Sequence, residues 1–208
     1  MRPTALVVAK HPAPGAVKTR LAVRWGASAA AAIAAALLDD TLRWVGGCAR
    51  VRPVLATTRV VPVPAGWTVW LQGEGDLGDR LERLGQRAAG PALFLGGDAP
   101  GLPESLLDDA VAALSRGQAA LAPARDGGFV LLALPATPAG IFHGIPWSTA
   151  QAGEAMARRA AAAFPLCHLP GGGDVDHPDD LVALLEEAPP ERISATWAAW
   201  RAIQASDG

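Results

Sequence analysis

The amino-acid sequence predicts an α/β fold in three layers: a mostly parallel, mixed sheet with helices on both faces. Three observations carry that expectation. The strand-like segments, TALVVA (Thr4–Ala9) first among them, are continuous apolar runs, the pattern of strands buried on both faces. Helix-like segments separate most of them, in the order strand, helix, strand, strand, helix, strand, helix. One later pair of strands is joined only by Arg-Asp-Gly-Gly, a link that reads as a hairpin or sharp turn and so as an antiparallel insertion or edge.

Thr4–Ala9 opens the chain as a strand. A helix follows over about Ser28–Val45, with Ile33, Leu37, Thr41 and Trp44 on one face and Gly46-Gly47 as its stop. RPVLATT (Arg52–Thr58) is the second strand, Pro62 and Pro64 mark a loop, and WTVWLQ (Trp67–Gln72) is the third. A glycine-rich loop then leads into a helix over about Asp76–Ala89, and PALFLGGD (Pro91–Asp98) is a fourth strand ending on an aspartate. The next helix has Pro103 near its first turn. QAALAPA and GFVLLAL form the hairpin-like pair, a loop carries Trp147, and a helix covers Gly153–Ala163. FPLCHLP is the last strand; GGGDVDHPDDLVALLEE runs from loop into helix, and Glu191–Ala205 closes the chain as a helix with Ile193, Trp197 and Trp200 on one face.

Composition narrows the function classes. The 208 residues, 50% hydrophobic and 18% charged, suit one domain over 1–208 with a full core. A net charge of −2 gives no overall attraction to nucleic acid. Two cysteines, Cys48 and Cys167, are too few for a disulfide framework or a cysteine-rich zinc site, which makes the cytoplasm the default compartment. The longest apolar run, Ala27–Leu38, is 12 residues and mostly alanine, short of the roughly 20 a membrane span needs. No Gly-x-Ser-x-Gly elbow is present, and His11, His143, His168 and His177 lack metal-ligand spacing.

In parallel sheets ligands bind beyond the carboxyl ends of the strands, so the loops after Ala9, Leu71, Leu95 and Leu169 are the candidates. The first, AKHPAPGAVKTR, combines Lys10, Lys18 and Arg20 with a backbone stiffened by Pro12 and Pro14 and opened by Gly15. Cations and backbone N–H groups together suit phosphates, although the loop matches neither a Walker motif nor Gly-x-Gly-x-x-Gly. Lys18 and Arg20 therefore read as replaceable without much loss of stability. Asp98, after two glycines at a strand end, reads as a ligand for Mg²⁺ or Mn²⁺, or as a turn residue. Asp174 and Asp176 lie where a second carboxylate could converge with Asp98, although one of them could instead be a helix N-cap. Asp179 and Asp180 are explained by the helix dipole. Asp126 with Gly127 and Gly128 is turn chemistry or a contact to substrate hydroxyls, Gln72 and its glycine-rich loop could frame a base or sugar, and Trp147 could stack on substrate.

Taken in order, AKHPAPGAVKTRL, QGEGDLGDRL, LGGDAPGLP, PARDGGFVLL, GIPWST and DVDHPDDL resemble the DUF2064 family over roughly residues 5 to 185. That resemblance implies a GT-A (Rossmann-like) fold, kinship with nucleotide-diphospho-sugar transferases, and relatives among molybdenum-cofactor and 2-phospho-lactate nucleotidylyltransferases. It implies that Lys10, Lys18 and Arg20 hold nucleotide phosphates beside Ala9 and Gly15, and that Gln72, Gly73 and Gly78 lie near the nucleotide. Asp98 would bind the metal, with Asp176 the second ligand and Asp174 in reserve, while Asp126, Gly127 and Gly128 face the acceptor or sugar. The chain departs from the family pattern at Gly97, Ala99 and Phe129, where hydroxyl or thiol side chains are usual, and in reading His177-Pro178-Asp179-Asp180 late in the chain. The function implied is metal-dependent transfer from a nucleotide-activated donor to a small-molecule acceptor, first as a glycosyltransferase. The alternatives are a nucleotidylyltransferase, favoured by two loop cations suited to a triphosphate and by the lack of a mid-chain Asp-x-Asp, and a non-catalytic nucleotide-binding domain.

Overall fold

In the computed structural model, which describes residues 2–206, β1 (Thr4–Ala9) pairs in parallel with β2 (Arg52–Thr57) on one side and β4 (Ala92–Gly96) on the other. A strand flanked twice and covered on both faces has no solvent side, and this is why its sequence does not alternate. Leu6 packs with Val54, Phe94 and Leu132 on one face, whereas Ala5 and Val7 pack with Leu93, Leu95 and Leu131 on the other. β3 (Thr68–Leu71) extends the sheet beyond β2, again in parallel. β5 (Ala119–Pro123) and β6 (Phe129–Leu134) form the expected antiparallel pair, and β7 (Leu166–His168) pairs in parallel with β5. The sheet order is β3-β2-β1-β4-β6-β5-β7, so the antiparallel β6 is an insertion beside β4 rather than an edge.

Helices cover both faces, as the sequence predicts. α1 (Thr19–Gly47) and α3 (Leu106–Ser115) supply Leu42, Val45, Leu106 and Val111 to one layer. α2 (Leu77–Ala88) and α4 (Ala152–Ala163) supply Leu81, Leu84, Met156 and Ala160 to the other. α5 (Pro178–Glu187) and α6 (Ser194–Ser206) lie over α1, closing a third cluster around Ile33, Leu37, Leu181 and Ile193. Trp200 meets Trp25 edge-on at 5.3 Å within it, so the tryptophan-bearing last helix packs on its own domain.

The sequence reading of α1 needs correction at both ends. The helix begins at Thr19, not near Ser28, because Gly26 (φ 81°) joins two helical pieces across a kink. The first piece carries Arg20 and Arg24 and buries only Leu21, so it reads as loop. Gly46-Gly47 do not stop it; a Cβ at Gly46 would sit 3.0 Å from Trp67 Nε1, which accounts for the glycine by packing. α1 is long and apolar enough to span a membrane by length and composition, but it is kinked at Gly26 and buries Leu21, Ile33 and Leu37.

One buried charge fastens this layer. Asp40 on α1 is fully buried and accepts hydrogen bonds from the N–H groups of Ala195 (3.1 Å) and Thr196 (2.8 Å) and from the Thr196 hydroxyl (2.6 Å). It thereby caps α6 from another helix while pairing with Arg43. Asp40→Ala is expected to destabilise the protein by about 2 kcal/mol in urea unfolding, since it orphans the buried donors of Thr196, whereas Arg43 keeps Asp39 and Ser194 as partners.

Candidate active site

The site forms where β1 and β4 end. Lys18, the residue before α1, adopts a left-handed backbone (φ 47°, ψ 47°), a conformation that costs a non-glycine residue about 1 kcal/mol. Its ammonium lies 2.6 Å from Asp98 Oδ2 and 2.8 Å from Asp176 Oδ1. Asp98 comes two residues after β4, and Asp176 comes from the loop entering α5. The Val175 N–H donates to the Asp98 carbonyl (3.1 Å), stitching the two loops together. Arg20 Nη1 stands 3.5 Å from Asp176 and 3.2 Å from His177 Nε2.

Neither Asp174 nor Asp176 is the N-cap of α5. His177 holds that position, and Asp180 supplies the carboxylate, accepting the N–H groups of His177 (2.6 Å) and Asp176 (3.0 Å). Asp180 therefore does more than complement a dipole: it anchors the loop that presents Asp176.

Oxygens of Asp98, Asp174 and Asp176 approach within 4.8 Å of one another. Burial would lower the Lys18 pKa, but the charges and hydrogen bonds of Asp98 and Asp176 outweigh it and hold it above the usual lysine value. Burial likewise opposes ionisation of Asp176, yet Lys18, with Arg20 and His177, keeps its pKa below the ordinary carboxylate value. Among the described residues no cation is ion-paired with Asp174. Burial first, then the charges of Asp98 and Asp176, push its pKa up to about 6. Three convergent hard oxygens, one of them electrostatically strained, fit a divalent cation of the Mg²⁺ or Mn²⁺ type. Lys18 is built into this cluster, its side chain only 9% exposed, so the expectation that it can be removed at little cost in stability is revised. Arg20, at 62%, still fits it.

Beside the carboxylates, the first turn of α1 has no side-chain cap and no acidic residue of its own, and its residues Thr19 and Arg20 border a cleft of about 860 Å³ together with Asp176. Lys10, Lys18, Thr19 and Arg20 line the cleft on this side, and Asp126, Gly128, Phe129 and Trp147 line it on the other. Ala9 lies in an adjoining hollow of about 390 Å³ with Lys10, Lys18 and Asp98. Gly15 (φ 77°) serves an exposed turn and borders neither.

The Gln72 loop is stapled rather than flexible. Gln72 is 3% exposed, and its amide donates to the carbonyls of Ala9 and Ala56 (both 2.9 Å), tying the ends of β1 and β2. Arg83 clamps the carbonyls of Gln72 and Glu74, around Gly73 at φ 77°. Gly78 is a packing glycine: a Cβ there would meet Trp147 Nε1 at 2.7 Å and the Phe142 carbonyl at 2.9 Å. Gln72, Gly73 and Gly78 thus organise the cleft from behind and do not line it. Asp126 accepts from the Gly128 N–H (2.9 Å), and Gly127 docks against α4, whose Gly153 N–H donates to its carbonyl (2.8 Å). Sequence reasoning passed over Thr19 and the left-handed Ser148 (φ 61°); nothing in Trp-Ser-Thr marks the latter, whereas the uncapped helix start signals Thr19 only once the helix is known to begin there. Gly97 gains a reason: a Cβ would lie 2.8 Å from Ala9 Cβ and 2.9 Å from Leu38 Cδ1, so Leu38 occupies the space a larger residue would need.

The profile of DUF2064, described as an uncharacterized protein conserved in bacteria, matches residues 29–149, more than half of the chain. The chain belongs to the DUF2064 family. The matched stretch takes in Asp98 and the Asp126–Gly128 turn. This DUF2064 protein is also similar to a solved structure from Desulfovibrio desulfuricans, described there as a candidate nucleotide-diphospho-sugar transferase, at 26% identity and TM-score 0.84, over 99% of this chain and 96% of that one. Two more distant structures share the fold. One is 2-C-methyl-D-erythritol 4-phosphate cytidylyltransferase from Thermus thermophilus (20% identity, TM-score 0.53, 88% and 97% covered). The other is Rv0371c from Mycobacterium tuberculosis, solved in complex with manganese (20%, 0.53, 90% and 100%). No curated protein matches the chain. The GT-A, Rossmann-like architecture implied by the sequence is the fold observed.

Proposed function

We propose that this protein is a divalent-metal-dependent transferase acting on a nucleotide-activated donor, and that it moves a glycosyl group from a nucleoside-diphospho-sugar to a small-molecule acceptor. One observation carries the reading: the Lys18 ammonium bridges Asp98 and Asp176 at the mouth of an uncapped, cation-bearing helix start. An acidic cluster and an anion-binding helix end in one cleft suit a metal–diphosphate pair.

In this reading the donor phosphates meet the first N–H groups of α1, with Arg20 and Lys10 beside them. Asp98, Asp176 and Asp174 would hold Mg²⁺ or Mn²⁺, which when bound neutralises charge on the departing diphosphate. Lys18 keeps the carboxylates compensated and stands within reach of the same phosphates. Asp180 and the Val175–Asp98 hydrogen bond fix the two carboxylate loops so that charge is stabilised without reorganisation. The likeness to the Desulfovibrio protein supports the glycosyl reading. A nucleotidylyl reading, in which an acceptor phosphate attacks an NTP and pyrophosphate leaves, draws support from the Thermus cytidylyltransferase.

Incubation with a panel of nucleotide sugars and NTPs, with Mg²⁺ or Mn²⁺, separates the two. Release of a nucleoside diphosphate from a sugar nucleotide is the expected result. Pyrophosphate from an NTP would replace it with the nucleotidylyl reading, and no turnover of either class with any small-molecule acceptor would remove both.

A further inference from the structure

The two sides of the large cleft differ in charge. Lys10, Lys18 and Arg20 stand on one side, with Asp176 paired to the last two. The facing side is built from Leu77, Leu81, Phe129 and Trp147, with Asp126 as its charged group, and among the described residues no lysine, arginine or histidine lines it. Arginines on the same elements are spent elsewhere. Arg83 holds the carbonyls of Gln72 and Glu74, Arg125 pairs with Glu187 (3.4 Å), Arg158 with Glu154, and Arg159 donates to the Gly140 carbonyl (2.8 Å).

Trp147 is held rigidly. Phe129 meets it edge-on at 6.3 Å, Phe142 packs tilted at 6.3 Å, and Gly78 lies flush against it. A fixed, half-buried indole bordering a polar cleft offers a flat apolar platform. Asp126 uses one carboxylate oxygen on the Gly128 N–H, and its other oxygen has no partner among the described residues. A phosphate placed on this side would face a carboxylate at close range with no cation to compensate, whereas a hydroxyl would find an acceptor.

We infer that the acceptor side of the cleft takes an uncharged, hydroxyl-bearing ring compound, its apolar face resting on Trp147 and a hydroxyl donating to Asp126, and that it excludes phosphorylated acceptors. The inference rests on the reading of the basic side as the donor site. It deepens that reading, because an attacking phosphate, which nucleotidylyl transfer to a phosphorylated acceptor requires, has no cationic seat here.

The test uses 4-nitrophenyl β-D-glucopyranoside and its 6-phosphate as a matched pair, with binding followed by saturation-transfer NMR on the full chain without nucleotide. The neutral glycoside is expected to bind at least tenfold more tightly than the phosphate, and Trp147→Ala to weaken the glycoside at least fivefold. Ala150→Lys places a cation on this side at an exposed position whose side chain makes no hydrogen bond. It is expected to raise the affinity of the phosphate at least fivefold relative to the glycoside. Equal or tighter binding of the phosphate by the wild type, no binding of the glycoside, or no response to Ala150→Lys would each overturn the inference. Nucleotide binding with Mn²⁺ is measured separately on the wild type. Its absence would remove the donor-site reading while the glycoside comparison still reports on the acceptor side.

Discussion

Asp98→Ala is expected to lower nucleotide affinity in Mn²⁺ at least 100-fold and to abolish turnover, with little effect on binding in EDTA. Asp98 is the only one of the three clustered carboxylates carried by a sheet strand's own exit, and it is bonded to Lys18 at 2.6 Å. Its removal takes away one of three oxygens converging within 4.8 Å, leaving Asp174 and an Asp176 already shared with Lys18 and Arg20, a pair that holds a dication poorly. Folding should survive, because Asp176 still compensates the Lys18 ammonium. Isothermal titration with and without Mn²⁺, alongside circular dichroism, reads both quantities. Wild-type affinity and undiminished Mn²⁺ dependence in Asp98→Ala would show that the cluster is not a metal site.

Asp174→Asn should separate stability from function. The Asp174 pKa rises from 3.8 to about 6, chiefly through burial and then through the charges of Asp98 and Asp176. Below pH 3.8 the carboxyl is protonated in both folded and unfolded chains, and the substitution gains nothing. As pH rises, the unfolded chain ionises first and draws the equilibrium toward itself. Wild-type stability therefore falls between about pH 4 and 6, and the loss is complete above the folded value. Asn cannot ionise, so Asp174→Asn should be about 1–2 kcal/mol more stable than wild type at pH 8 without metal and equal to it at pH 3.5, after discounting for solvent screening. The same variant should lose most of its stabilisation by Mn²⁺. Thermal melts across pH, with and without Mn²⁺, check both signs, and a variant no more stable at pH 8 than at pH 3.5, relative to wild type, would contradict the charge crowding.

The sheet was legible because burial on both faces leaves continuous apolar runs at β1, β2 and β4, and because the short link between β5 and β6 permits only an antiparallel return. The start of α1 was not. Its first turns expose Arg20 and Arg24 and lead into Gly26, so no local pattern distinguishes them from loop, and the helix is held there by Leu21 reaching the cluster under α5 and α6. Residue types at the site were readable from strand-end placement: Lys18, Asp98 and Asp176 do converge. Their pairing was not, since a lysine in a basic loop looks like a free phosphate ligand until its left-handed backbone turns it onto two carboxylates. The structural duties of Gln72 and Gly78 were not legible for a related reason. A packing glycine and a strand-end amide look the same in sequence whether they touch ligand or, as here, Trp147 and the carbonyls of Ala9 and Ala56.

The central claim is that the basic helix start and the carboxylate cluster form a single metal–nucleotide site. Reciprocal coupling tests it most directly: Mn²⁺ affinity measured by titration with and without a saturating nucleoside diphosphate. The expected result is a rise in Mn²⁺ affinity of at least tenfold with nucleotide present, matched by an equal rise in nucleotide affinity with Mn²⁺ and lost in Asp98→Ala. Nucleotide that binds equally well in Mn²⁺ and in EDTA would contradict the account.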